Sequence, residues 1–260
     1  MYDQPVYAET SPEELYQFIR DNPLGILTTA IPSTLYPLLQ STHIPWILDP
    51  PNQGNETAKA RLRGHIARQN PQSKAIVDSL KKSNSNSPSG SFLSQEVMIL
   101  FTSPHHHYVT PKFYTETKPV TGKVAPTWNY STVQVYGTLT AYFDAEVKET
   151  GEFLEQQLRD LSDHCERDIM GFTGEDGKEE AWRVDEAPEG YLRVLKRNIV
   201  GLSVEVERIE GKVKMSQERK RGDREGVVEG FARLGTDTAK EIARLVKVRG
   251  DMRDGHGVGG

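Results

Sequence analysis

The sequence predicts an α+β protein built on antiparallel sheet, and three observations carry that prediction. Strand-like segments come in runs separated by helical ones, with no regular strand-helix-strand alternation. One run alternates cleanly: Val133, Val135, Gly137 and Leu139 share one face, and Gln134, Tyr136, Thr138 and Thr140 share the other. One buried and one more polar face is the mark of antiparallel sheet. Finally, no GxGxxG, P-loop or internal repeat is present, which removes the common parallel nucleotide-binding architectures.

The elements follow in order. Ser11, Pro12 and Glu14 start a first helix as cap, first-turn proline and capping-box acid, and Asn22-Pro23 stops it. Leu24 to Ala30 is a strand, and "PLLQSTHIPWILD" a second, punctuated by Pro45. "KARLRGHIA" is a third, alternating Leu62, Gly64 and Ile66 with Arg61, Arg63 and His65. Asn70-Pro71 opens a helix to about Leu80, and residues 81–91 read as a flexible low-complexity insertion. "QEVMILFTS" is the fourth strand, which "HHHYVTP" continues or pairs with. A strand follows the crowded stretch "PTWNY", then a helix from about Val147 to His164 and another after Pro188. "IVGLSVEVERIEGKVKMS" reads as two strands turning near Glu210-Gly211. "DREGVVEGFARL" is a short helix, and a Thr238-to-Glu241 capping box starts a last one ending near Val248, with disorder beyond. One domain over 1–230 and a helical, then disordered, tail over 231–260 are expected.

Composition narrows function less than fold. The 260 residues are 27% charged and 36% hydrophobic, as in soluble globular proteins, and carry a net charge of -5. That charge argues against a broad nucleic-acid surface. The single cysteine, Cys165, excludes an intramolecular disulfide and a CxxC metal or redox site. With no apolar leader and no long apolar run, a cytoplasmic protein with possible nuclear access and no membrane span is expected.

Several residues could carry chemistry. In "RGHIARQNPQ", Arg63, His65 and Arg68 add positive charge beside the helix start at Asn70-Pro71, which makes either a phosphate site or a solvated basic strand edge. His105, His106 and His107 lack an acid or cysteine at ligand spacing, so no metal site is assigned. His43 reads as a base, a donor or a core histidine, and His164 and Cys165 as neighbours pointing apart. The basic run Lys214 to Arg224 reads as a phosphate contact or, since it also holds Glu218 and Asp223, as a solvated turn, the second being favoured. The aromatics and amide of "PTWNY" are either core packing or the wall of a pocket for a flat ligand.

Five phrases taken together resemble one family: "HIPWILD", "GHIARQNP", "HHYVTPKFY", "GKVAPTWNYSTVQVYG" and "IVGLSVEVERIEGKVKMSQ". Their order and spacing over roughly residues 1–230 are similar to the PaiB-type FMN-binding proteins, often described as negative transcriptional regulators. The resemblance implies an antiparallel split β-barrel of the pyridoxamine-phosphate-oxidase-like kind with peripheral helices, FMN as cofactor, and a homodimer with FMN between two barrels. It implies FMN contacts at His65, Ala67, Arg68 and Asn70, with Trp128, Asn129 and Tyr130 near the flavin and Gln217 closing the site. This chain departs from the family where KWKLSQN-like sequence reads "KVKMSQE", with Val213 and Glu218, and where "PHHHY" carries an extra histidine. Three readings follow: a flavin-binding regulator with possible DNA contact, an FMN-dependent oxidoreductase on a small molecule, and a haem-binding split barrel using His105–His107.

Overall fold

A computed structural model describes residues 4–51, 58–83 and 92–256. The predicted insertion falls outside them from residue 84 to 91; residues 81–83 are the last turn of a helix. The strands are β1 (Ala8–Glu9), β2 (Leu24–Ala30), β3 (Leu39–Pro45), β4 (Ile47–Asp49), β5 (Arg61–Ala67), β6 (Val97–Thr102), β7 (His107–Val109), β8 (Thr127–Tyr142) and β9 (Ile199–Lys214). The helices are α1 (Pro12–Asp21), α2 (Pro71–Ser83), α3 (Thr117–Thr121), α4 (Lys148–Asp163), α5 (Glu189–Arg197), α6 (Arg221–Leu234) and α7 (Asp237–His256). The chain divides into two compact units, one drawn from 16–101 and 134–209, the other from 1–15, 102–133 and 210–260.

The first unit is a curled antiparallel sheet. The strand order is β3-β2-β6-β8-β9-β5-β4. β3 and β4 are successive parts of one stretch that bends at Trp46, pairing with β2 on one side and β5 on the other. The two edges of the sheet are therefore carried by one piece of chain, which curls the sheet into a half-barrel. Pro45 has no N–H for the ladder, and the Trp46 N–H turns to Pro23 O at 2.9 Å. Gly64 makes the close crossing possible: a Cβ there would lie 3.0 Å from Ile44 Cγ2 and Trp46 Cε3. Leu27 opposite Ile99, Leu62 opposite Val204, and Ile66 opposite Val200 fill the buried face. This is the α+β antiparallel split-barrel class that the sequence and its resemblance predict.

Within this unit Arg63 is a buried cation. It reaches Asp49 through Nε at 2.6 Å and Nη2 at 2.7 Å, and Asp160 of α4 through Nη2 at 2.7 Å. Burial alone would raise the Asp49 pKa, but hydrogen bonds from Arg63 and then Arg61 hold it below the ordinary carboxylate value.

The second unit has its own core. Val109 of β7, Tyr114, Val213 and Met215 pack with Val227 and Phe231 of α6 and with Ile242 and Val246 of α7. Gly226 lets α6 come against the chain: a Cβ there would sit 2.2 Å from Phe113 O. β1 pairs with β9, and β7 pairs with β8 so that Tyr108 opposes Trp128 and His107 opposes Asn129.

Three expectations are corrected. β9 is one continuous strand through Glu210-Gly211, not two. Gly211 is there because Leu15 and Glu9 cross it closely, a Cβ coming within 2.2 Å of Leu15 Cδ2. β8 begins at Thr127, so Trp128, Asn129 and Tyr130 lie inside the strand rather than before it. The last helix is capped by Thr236, whose Oγ1 accepts from Ala239 N at 3.2 Å, and it runs to His256, its last turns held through Arg249 to Glu9, Arg253 to Arg219 O and Asp254 to Arg224. Residues 257–260 of the expected disordered end lie outside the described residues.

Candidate functional site

In the barrel unit, the strand-to-helix turn is organised around the start of α2. Asn70 Oδ1 accepts from Gln72 N at 2.8 Å, an Asx turn that begins the helix, and Asn70 Nδ2 donates to Thr42 Oγ1 at 3.1 Å. Gln72, buried, donates through Nε2 to Leu27 O, Thr29 Oγ1 and Gln40 O, pinning the helix start onto β2 and β3. Three potential donors on these elements, His65 Nδ1, Ser73 Oγ and Gln40 Nε2, are buried without a partner. Burial also pushes the His65 pKa below its ordinary 6.5, so the ring is neutral at pH 7. Orphaned donors beside a helix N-terminus suit an anion such as a phosphate. Ser73, Gln72 and Gln40 were not singled out from the sequence; the polar Gln72-Ser73 pair after the Asn-Pro helix start is the signal for the first two, and no local signal marks Gln40.

Two arginines proposed for a phosphate have other work. Arg63 is committed to two carboxylates. Arg68 donates from Nε to Arg197 O at 2.9 Å and from Nη2 to Phe143 O at 2.8 Å and Ile199 O at 3.2 Å. It ties three chain segments together, and only its Nη1 is left for a ligand. Ala67 is exposed, with its carbonyl accepting from Asn70 N. An Arg68→Ala variant is expected to lose about 1.5–3 kcal/mol of stability, the scale of hydrogen bonds to a charged group. Urea unfolding checks this, and a loss under 0.5 kcal/mol (roughly a neutral surface change) contradicts it.

In the other unit, strand alternation splits the Trp-Asn-Tyr motif. Trp128 is 51% exposed, with His106 at 6.0 Å and Tyr108 at 6.3 Å between ring centres. Tyr130 points the same way and is half-buried. Asn129 points to the opposite side, is fully buried, and accepts from Ser216 Oγ at 3.0 Å, while its Nδ2 has no partner. Lys214 Nζ donates to Thr127 Oγ1 and to Trp128 O at 2.9 Å. Burial lowers the Lys214 pKa. Tyr7, whose ring lies 5.9 Å from Lys214 Nζ, is pushed up to about 12 by burial and by Glu218. Gln217 is a backbone staple: Oε1 accepts from Met215 N at 2.7 Å, and Nε2 donates to Val6 O and Val213 O. Ser216 and Tyr7 escaped the sequence reading, and Lys214 entered it only as the start of a basic run, although the "KVKMSQ" phrase contains two of the three.

Of the eight predicted site residues, four therefore sit at the α2 start in one unit and four in the β8–β9 portion of the other. The remaining candidates resolve into packing. His107 Nδ1 meets Tyr108 O at 2.8 Å and the ring abuts Phe231, while His106 faces Trp128, so these two histidines have different partners. Among the described residues no group of His, Cys, Asp or Glu could hold a metal ion. His164 pairs with Asp168 at 2.8 Å, and burial raises the Cys165 thiol, leaving it protonated. Beyond Lys214 the basic run is paired: Arg219 with Glu218, Lys220 with Glu116, Arg221 with Glu225, Arg224 with Asp254. A polar cleft of about 480 Å³ beside Asp160 and Trp182 holds none of the eight residues. No described helix is long and apolar enough to cross a membrane.

Comparison with known proteins decides the family. The sequence model of the family described as "Putative FMN-binding domain" matches residues 1–208. The chain belongs to this FMN-binding family. An uncharacterized protein of Aspergillus fumigatus is 56% identical over 260 residues, covering 98% of this chain and 99% of that protein. "Protease synthase and sporulation protein PAI 2" of Bacillus subtilis is 24% identical over 247 residues, covering 95% and 97%. Among solved structures, the FAD and heme binding protein from Mycobacterium smegmatis is similar with a TM-score of 0.43 and 12% identity over 80% of this chain and 73% of that one. The PaiB-type resemblance read from five motifs is borne out, and it is a flavin-binding family.

Proposed function

We propose that the chain binds FMN and works through it. The observation that carries this reading is the set of buried donors without partners, His65 Nδ1, Ser73 Oγ and Gln40 Nε2, at the N-terminus of α2, which asks for an anion. His65, the Arg68 Nη1, Asn70 and the exposed turn at Ala67 are the phosphate-side residues of this reading. Trp128 and Tyr130 offer aromatic surface to the ring system. Asn129 and Gln217 act from behind, holding the strand and the turn that present them. FMN, when bound, supplies reversible one- and two-electron chemistry, and the protein supplies binding, orientation and electrostatics. The reading includes a homodimer, as the family implies.

Regulatory output, where the protein has one, then runs through the flavin state rather than through direct DNA contact. The net charge of -5 and the internal pairing of the one basic run support that. Oxidation or reduction of a small molecule by the bound flavin is the second reading, favoured by the half-buried Lys214, its pKa lowered by burial, beside exposed Trp128. Purification with a flavin absorbance spectrum, and the mass in solution, tests cofactor and dimer together. A colourless protein that takes up no FMN refutes the cofactor; bleaching of bound FMN by a nicotinamide favours the enzyme reading.

The histidine provides a pH test. Its folded pKa is depressed, so it stabilises the fold above its ordinary 6.5 and that contribution is lost as pH falls through and below that value. FMN phosphate beside it would raise the pKa again. The His65 ring resonances in an NMR titration are expected to shift to a higher midpoint on adding FMN; an unmoved midpoint removes His65 from the phosphate site.

A further inference from the structure

We propose that α7 is a positioning element for the Ser216–Arg219 turn, acting through Arg253; as a statement about the cofactor site, it rests on the flavin reading of Trp128. The turn is strained and enclosed. Ser216 has φ +61°, a left-handed backbone that a residue with a Cβ seldom adopts, and it is fully buried. Such a conformation persists only when its surroundings over-determine it. From one side, Ser216 Oγ holds Asn129 of β8, next to Trp128, and Gln217 staples Val6, Val213 and Met215.

From the other side the restraint comes from the C-terminal helices. Arg253 Nη1 donates to Gln217 O and to Arg219 O, the latter at 3.2 Å. Arg224 of α6 donates to the same Arg219 O at 3.1 Å and is held by Asp254 of α7. Gly250 lets Arg224 lie across α7, since a Cβ would come 2.8 Å from Arg224 Nε. Arg249, one turn earlier, pairs with Glu9 of β1 at 2.6 Å. Two guanidinium groups thus converge on the carbonyls of one strained turn, and both depend on α7. Because α7 lies beyond the 1–208 segment that the family match covers, the geometry of the Trp128 side is set by residues outside that segment.

The test compares full-length wild type with Arg253→Ala and Arg253→Lys by hydrogen exchange and FMN titration. In the alanine variant, exchange across 213–220 is expected to quicken about tenfold, the equivalent of one charge-assisted hydrogen bond. Exchange in 199–206 stays unchanged, FMN dissociation rises by a similar factor, and lysine restores part of both. Unchanged exchange in 213–220 overturns the clamp. Faster exchange with unaltered FMN affinity overturns its bearing on the cofactor. If alanine instead loosens all of α6, the Arg253→Lys variant, whose donor is only one bond shorter than Nη1, is judged by the same two readouts. Failure of the wild type to bind FMN refutes the cofactor reading by itself, and the exchange comparison still decides the clamp.

Discussion

An Arg63→Ala variant is expected to be destabilised by about 3–5 kcal/mol, because it leaves two carboxylates facing a buried, vacated site. The side chain of Arg63 is 9% exposed and bonds Asp49 and Asp160, which belong to different elements packed on β5. Removing the cation reverses the electrostatics of Asp49. In the wild type its pKa is held below 3.8, so its contribution to stability is present above that value and is lost as pH falls through the lowered folded value. In the variant, burial acts unopposed by Arg63 and raises the Asp49 pKa, so acid relieves rather than causes its penalty. The stability gap between the two proteins should therefore be widest near neutral pH and narrow below about pH 4. Denaturant unfolding at several pH values measures this. A gap below about 1 kcal/mol at neutral pH, the range of an exposed ion pair, would show that the triad is solvated and not structural. Replacing Arg63, Asp49 and Asp160 together by apolar residues should recover much of the loss, since a buried ion network adds little net stability over well-packed apolar groups.

The second large effect lies in the other unit. Phe231→Ala is expected to cost about 3–5 kcal/mol and to lower the melting temperature by on the order of 10 °C. Phe231 is fully buried and meets Phe113 edge-on at 5.4 Å and His107 at 5.2 Å. It joins α6 to the segment that leads from β7 into α3. Gly226 and Gly230 let α6 approach Phe113 closely; a Cβ at Gly230 would already lie 2.4 Å from the Phe113 ring. Phe231→Leu, which keeps most of the volume, should cost less than about 1.5 kcal/mol. Equal losses for the two variants would mean that the site is sensitive to shape alone, and a negligible loss for alanine would mean that α6 is not docked as described.

Much of the architecture was legible because it is local. β2 matches the predicted span, and the helix beginning at Pro71 was announced by Asn70. The alternation of Val133, Val135 and Leu139 was visible because a half-buried strand repeats every two residues. Longer-range facts were hidden. Nothing in "VERIEGKVK" says whether Gly211 is a turn or a crossing point; Leu15, nearly two hundred residues away in the chain, decides it. The end of α7 was misjudged because its last turns are polar in sequence yet carry Arg249, Arg253 and Asp254, whose partners lie elsewhere in the chain.

The candidate site shows the same division. Residue types and motif order were enough to place the chain in its FMN-binding family and to single out "GHIARQNP" and "PTWNYS". They could not say which side chains are free. Arg63 and Arg68 read alike as cations for a phosphate, yet one is buried between carboxylates and the other spans backbone carbonyls. Trp128 and Asn129 are adjacent letters, yet the strand sends them to opposite faces. By itself the sequence determined most of the secondary structure, the sheet type and the family, since these follow from periodicity and from short phrases. Tertiary structure alone decided which polar groups are spent on folding and which, like His65 Nδ1 and Ser73 Oγ, remain unpaired. Hydrogen-bond partners come from segments distant in sequence, and a buried group is available to a ligand only where that distant chain leaves it unsatisfied.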